Sequence, residues 1–167
     1  MSTDAEVKKA RMVYYADQIQ ALERVLDRLL DLSRAKRAML IDVGGYMIAS
    51  RGHGVDELDN ESISALVAGS FAATKETAKL LGEKEFSVLF HQGEKDSIQL
   101  TLINDRILLG IIFDDTTTIG MVRLYASETA KKVEEVLSKP AESSQGQASL
   151  DADFGASAEQ SLDNLFK

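Results

Sequence analysis

The chain has 167 residues, a formal charge of −8, no Cys and no Trp. Its length suits one domain with an extension, large enough to bury a core without cross-links. The acidic balance disfavours a nucleic-acid backbone or an anionic membrane as main partner, the missing thiols exclude disulfides and thiolate metal sites, and the scarcity of aromatics disfavours base stacking.

The leader MSTDAEVKKARM lacks the apolar segment of a secretory signal, and no apolar run has the length to span a bilayer. A cytoplasmic protein without membrane insertion is therefore expected. Met12, Tyr15, Ile19, Leu22, Leu26 and Leu29 recur three and four apart and predict an amphipathic helix over about residues 11–33. The same repeat would serve a coiled-coil seam, but it is short, and packing on a sheet is the plainer role. Residues 38–43 and 46–50 are apolar runs split by Gly44-Gly45, the pattern of a β-hairpin whose turn needs positive φ at both glycines. Residues 51–59 read as a loop.

A long helix is predicted over residues 60–82, with Asp59 and Asn60 as capping oxygens and Gly82 as its stop. Ile63, Val67, Ser70, Thr74, Ala78 and Leu81 share one face, which should sit on the protein's own sheet. Ala65, Gly69, Ala72 and Glu76, with Ala68 beside them, form a second stripe that has almost no side chain. A mid-helix Gly costs about 1 kcal/mol relative to Ala. The stripe therefore implies close approach of another backbone, either from a docking partner or from within the domain itself.

Downstream the period changes to two. Phe86, Val88 and Phe90 alternate with Ser87, Leu89 and His91, and Ile98, Leu100 and Leu102 alternate with Gln99 and Thr101. Residues 107–113, ILLGIIF, suit an inner strand covered on both faces. The turns QGEKD and Asn104-Asp105 make these three strands an antiparallel meander. The polar cluster from Asp114 to Thr118 reads as a helix start. Ile119, Val122, Ala126, Thr129, Val133 and Val136 then give a last helix, ending near Ser138 and Pro140. Residues 139–158 have the composition of a disordered linker, and residues 159–167 regain Leu162, Leu165 and Phe166 on one helical face. The expected domain spans residues 11–138. Its order, α-β-β-α-β-β-β-α, predicts a three-layer α/β (α+β) sandwich around a five-stranded antiparallel sheet.

Catalytic motifs are not found. There is no P-loop and no G-x-G-x-x-G, and GSFAATK lies within the central helix. His53, on a Gly-flanked loop, is the best candidate base but has no assignable partner, and His91 alternates with strand residues. Two adjacent acids at 114 and 115 would repel phosphate, so helix capping explains that cluster. Lys75, Lys79, Lys131 and Lys132 read as solvated helix charges. No catalytic residue, cofactor or metal ligand is assigned, and the bare helix face and apolar-tipped tail point to protein–protein work.

The motifs A-G-x-x-A-A (68–73), G-E-x-E-F (82–86), F-H-x-G-x-K-D-S (90–97) and G-x-V-R-L (120–124), with the ending DNLF, resemble the Roadblock/LC7 family, and within it the MglB-like branch of bacterial polarity regulators. The resemblance covers about residues 38–137. It implies a profilin-like fold and a homodimer joined at the strand carrying Phe86, Val88 and Phe90, with the two central helices side by side. It further implies a Ras-like small GTPase of the MglA type as partner, bound across that helix pair and activated for GTP hydrolysis. Ala65, Ala68, Gly69, Ala72 and Glu76 would then receive the GTPase switch regions, and Leu162, Leu165 and Phe166 would make a second contact. GTP and Mg would belong to the GTPase. Arg51, Arg106 and Arg123 lie off the stripe, and the resemblance implies that the GTPase supplies its own catalytic residues while the dimer favours its hydrolysis-competent conformation. A scaffold or localisation adaptor that binds without changing turnover is the competing reading.

Overall fold

The structure, a computed structural model, describes residues 14, 16–56 and 59–139. Helix α1 (Ala16–Ser33) leads into the hairpin β1 (Arg37–Asp42) and β2 (Met47–Gly52). Helix α2 (Asn60–Leu80) follows, then the meander β3 (Val88–Gln92), β4 (Ser97–Ile103) and β5 (Ile107–Phe113), and helix α3 (Ile119–Ser138). The strands form one five-stranded sheet in the order β2-β1-β5-β4-β3, with every neighbouring pair antiparallel. The expected element order and architecture are thus present. No helix among the described residues is long and apolar enough to cross a membrane.

Two-residue alternation divides the core into two layers. Ala38 and Leu40 of β1, with Ile107, Leu109, Ile111 and Phe113 of β5, face α1 and α3. Met39, Ile41, Leu108 and Ile112 point the other way, toward α2. All seven residues of β5 are buried, as a strand with helices on both faces requires. Leu22, Leu26 and Leu29 of α1 are buried in the first layer, so its heptad-like repeat serves the sheet and not a coiled-coil seam. The expected start of this helix, including Met12 and Tyr15, lies outside the described residues, as does Pro140.

Several boundaries differ from expectation for local reasons. β1 begins at Arg37, and β2 takes in Arg51 and Gly52. In the hairpin only Gly45 has positive φ, 94°, whereas Gly44 does not. The loop is longer than a two-residue turn: Asp42 N donates to Tyr46 O at 2.8 Å, and Asp42 Oδ1 accepts from Gly44 N at 2.7 Å. Asn104 and Asp105 both take positive φ, 52° and 57°, the signature of a tight hairpin turn. Thr118 caps α3, accepting from Met121 N at 3.3 Å.

Because α2 connects the two edge strands, it has to cross the sheet, and it is the helix that covers this face among the described residues. Its C-terminus closes as expected: Gly82, φ 79°, donates from its N to Lys79 O, and Glu83 N donates to Ala78 O. Its N-terminus departs from expectation. Asp59 sits in helical conformation without a side-chain cap bond, and Asn60 Oδ1 accepts instead from Arg37 Nη2 at 2.7 Å.

Candidate functional site

The face of α2 that meets the sheet is Ser64, Val67, Ala68, Phe71 and Ala78. Relative to the predicted face it is rotated by roughly 60°, at 3.6 residues per turn. Phe71 explains the rotation, as the bulkiest apolar side chain in the middle of the helix, buried in the layer with Met39 and Leu108. Ser64 tolerates burial because its Oγ donates to Asn60 O at 2.8 Å. Leu81, expected on the sheet, is exposed.

This rotation re-sorts the small-residue stripe. Ala68 is only 6% exposed and packs on the sheet, so it leaves the set of residues offered to a partner. Ala65, Gly69, Ala72 and Glu76 remain exposed. Two large side chains that sequence reading passed over join them: Leu66, 73% exposed, and Leu80, 88% exposed. Their 14-residue separation is close to four helical turns, so they stand on one line with Gly69, Ala73 and Glu76 between them. That spacing was the available signal. The result is a saddle, with a leucine at each end and a low floor of Gly and Ala.

The two explanations for small residues separate residue by residue. A Cβ at Gly45 would meet Ala65 Cα at 3.3 Å, so the β1–β2 turn lies directly against the helix and Ala65 has an internal reason to be small. A Cβ at Gly69 would meet nothing within 4 Å. The fold does not call for Gly at that position, although Gly weakens the helix. Glu76 Oε1 accepts from Lys79 Nζ at 2.7 Å, a solvated pair one turn apart.

At one end of the sheet runs β3, an edge strand paired only with β4 among the described residues. Val88 and Phe90 share its face toward α3, and Val88 is exposed, whereas Phe86, expected on the same strand, precedes its first residue. Phe90 is also an internal anchor: its ring stacks on Phe113 with centroids 6.0 Å apart and planes at 20°. On the opposite face Leu89 packs with the α2 layer.

Arg37 is a positioning residue that the sequence reading left outside β1. It is 6% exposed, and its Nη1 donates to Val55 O at 3.1 Å while Nη2 holds Asn60. The guanidinium therefore fixes the loop before α2 and the first residue of α2 together. A basic residue opening a strand whose next four residues are apolar was its only mark in the sequence.

The other candidates stand apart from this site. His53 and His91 are both exposed, and His53 N donates to Lys36 O at 2.9 Å. Asp114 Oδ1 accepts from Thr116 Oγ1 at 2.6 Å and Thr116 N at 3.0 Å. The hydroxyl bond first, and the backbone bond next, hold its carboxyl below the usual range. Asp114 is thereby committed to organising the entry to α3. Leu162, Leu165, Phe166 and residues 140–158 of the expected linker lie outside the described residues.

The Roadblock/LC7 domain family matches residues 21–113. Myxococcus xanthus MglB is 37% identical over 70% of this chain and 94% of its own, with a TM-score of 0.66. The gliding protein MglB from Thermus thermophilus is 30% identical over 75% and 94%, with a TM-score of 0.70. An MglB structure with a tetrameric arrangement is 30% identical over 75% and 93%, with a TM-score of 0.71. The match runs from within α1 to the end of β5, including the whole of α2, and the five-stranded sheet has the element order expected of this fold. The chain belongs to the Roadblock/LC7 domain family, with MglB among its structural relatives.

Proposed function

We propose that this protein is a homodimeric activator of a Ras-like GTPase of the MglA type, which it engages through the exposed side of α2. The observation that carries the reading is Gly69, a mid-helix glycine opening onto empty space between two exposed leucines. Such a surface accepts a partner's backbone closely and gives it apolar anchors at either end. Relatives named MglB, and the assembly of one of them into a tetramer, support an oligomeric, partner-binding role. β3 offers the open edge for sheet-to-sheet pairing, with Phe86, Val88 and Phe90 at the junction.

No Arg occurs between Asn60 and Leu80, so the saddle carries no arginine finger. Activation therefore works by selection. The dimer binds the GTPase conformation whose own catalytic groups are aligned, and its acceleration is bounded by its differential affinity for the two GTPase states. The tail residues Leu162, Leu165 and Phe166 add a second contact to the bound GTPase.

The test is single-turnover GTP hydrolysis by a cognate MglA-type GTPase, with and without a molar excess of this protein. Acceleration of about ten-fold, equivalent to about 1.4 kcal/mol, supports activation. Binding without acceleration refutes it and favours a scaffold. Truncation after Ser138 should weaken the complex while sparing the dimer in sedimentation, and unchanged affinity removes the tail from this role.

A further inference from the structure

On the face opposite the saddle, α1 and α3 do not reach across the whole sheet. Between α3 and the β3 edge lies an open groove of 660 Å³. Its wall is Ala126, Ser127 and Ala130, small residues on one side of α3. Its floor is Val88 and Phe90 of β3 with Gln99 and Thr101 of β4. The floor holds an unmet demand: Gln99 is 1% exposed, yet its Oε1 has no hydrogen-bond partner among the described residues. A buried acceptor left so costs about 1–3 kcal/mol. Arg123 and Lys131 stand on the rim, opposed by one acid, Glu134.

We propose that this groove is the docking site of the protein's own tail, with Leu162, Leu165 and Phe166 seated against Val88, Phe90 and Ala130. Chain length and direction support this occupant. α3 itself forms the wall and ends at Ser138, about 12 Å beyond Ala130 at 1.5 Å per residue. The 22 residues between Lys139 and Leu162 have a flexible reach of about 26 Å. The tail motif is therefore held near the groove at a local concentration of the order of millimolar. Charge agrees as well: residues 140–167 carry five acids and one Lys, facing a rim with two cations and one acid. Leu162, Leu165 and Phe166 follow the i, i+3, i+4 spacing of one helical face, and Ser161 and Asn164 bring donors beside them for Gln99.

Docking here would store the tail until a GTPase competes for it. That consequence rests on the function proposed above, but the docking itself does not, and its test contains no GTPase. The chain has no Cys, so Ser157→Cys, just before the tail motif and outside its contacts, carries a single nitroxide label on the full-length protein. The expected result is selective loss of amide NMR signal at Val88, Gln99 and Ala130, with Leu66 and Leu80 on the opposite face unaffected. Signal should return when Leu162→Asp and Phe166→Asp are added, which leave the sequence of residues 16–139 unchanged. Equal broadening on both faces, or broadening that survives the two aspartates, overturns the proposal.

Discussion

Gly69→Ala separates a glycine kept for the fold from one kept for a partner. Within one chain the added methyl meets nothing within 4 Å, so no internal clash offsets the gain in helix propensity. That gain is about 1 kcal/mol. For a domain of this size it raises the melting temperature by about 2–6 °C. At a closely fitted docking surface the same methyl acts in the opposite direction: overpacking costs about 1–3 kcal/mol, a weakening of about 5- to 150-fold. Urea unfolding at a fixed high protein concentration gives the first quantity. Titration of single-turnover GTP hydrolysis against this protein gives the second. Opposite signs are expected, a more stable protein that is a weaker activator. A lower urea midpoint refutes the open space at Gly69, and an unchanged titration refutes the docking surface.

Ala72→Arg should abolish stimulation while leaving the far-UV circular dichroism and melting transition intact, because the residue is exposed on the same side of α2. Full stimulation by the variant removes Ala72 from the surface. Arg37→Met should lower stability by about 2–4 kcal/mol, read from urea midpoints, since it deletes two charge-assisted hydrogen bonds and leaves Asn60 Oδ1 and Val55 O without that donor. A loss under 1 kcal/mol, taken as about the worth of one neutral hydrogen bond, contradicts the anchoring role. Asp114 has a folded-state pKa below its ordinary value, so its contribution is fully present above the unfolded pKa and is lost as pH falls through the folded value. Acid titration of Asp114→Asn should lack that component, and identical acid unfolding of the two proteins rules it out.

The secondary structure and fold class were legible because each rests on near-neighbour chemistry. ILLGIIF suits an inner strand, the leucines of α1 mark its buried stripe, and the polar cluster ending in Thr118 supplies a cap oxygen. Gly82 ends α2 because a positive φ there is easy only for glycine. The existence of a bare stripe was legible as well, since small residues at helical spacing are visible without coordinates.

The composition of that surface was decided only in three dimensions. A helix of 21 residues can turn about its own axis to bury Phe71, and sequence spacing does not fix that angle. The turn took Ala68 into the core and raised Leu66 and Leu80 to the surface. Asn60 passed from cap to guanidinium ligand because β1 happens to bring Arg37 beside it, 23 residues away in sequence. Ala65 and Gly69 look alike in the sequence, yet one supports the β1–β2 turn and the other faces open space. Period, caps and turns are local energies, set by residues within one or two turns of each other. Which face is free, and what each small residue is small for, depends on contacts between segments distant in sequence, and only the packed sheet determines them.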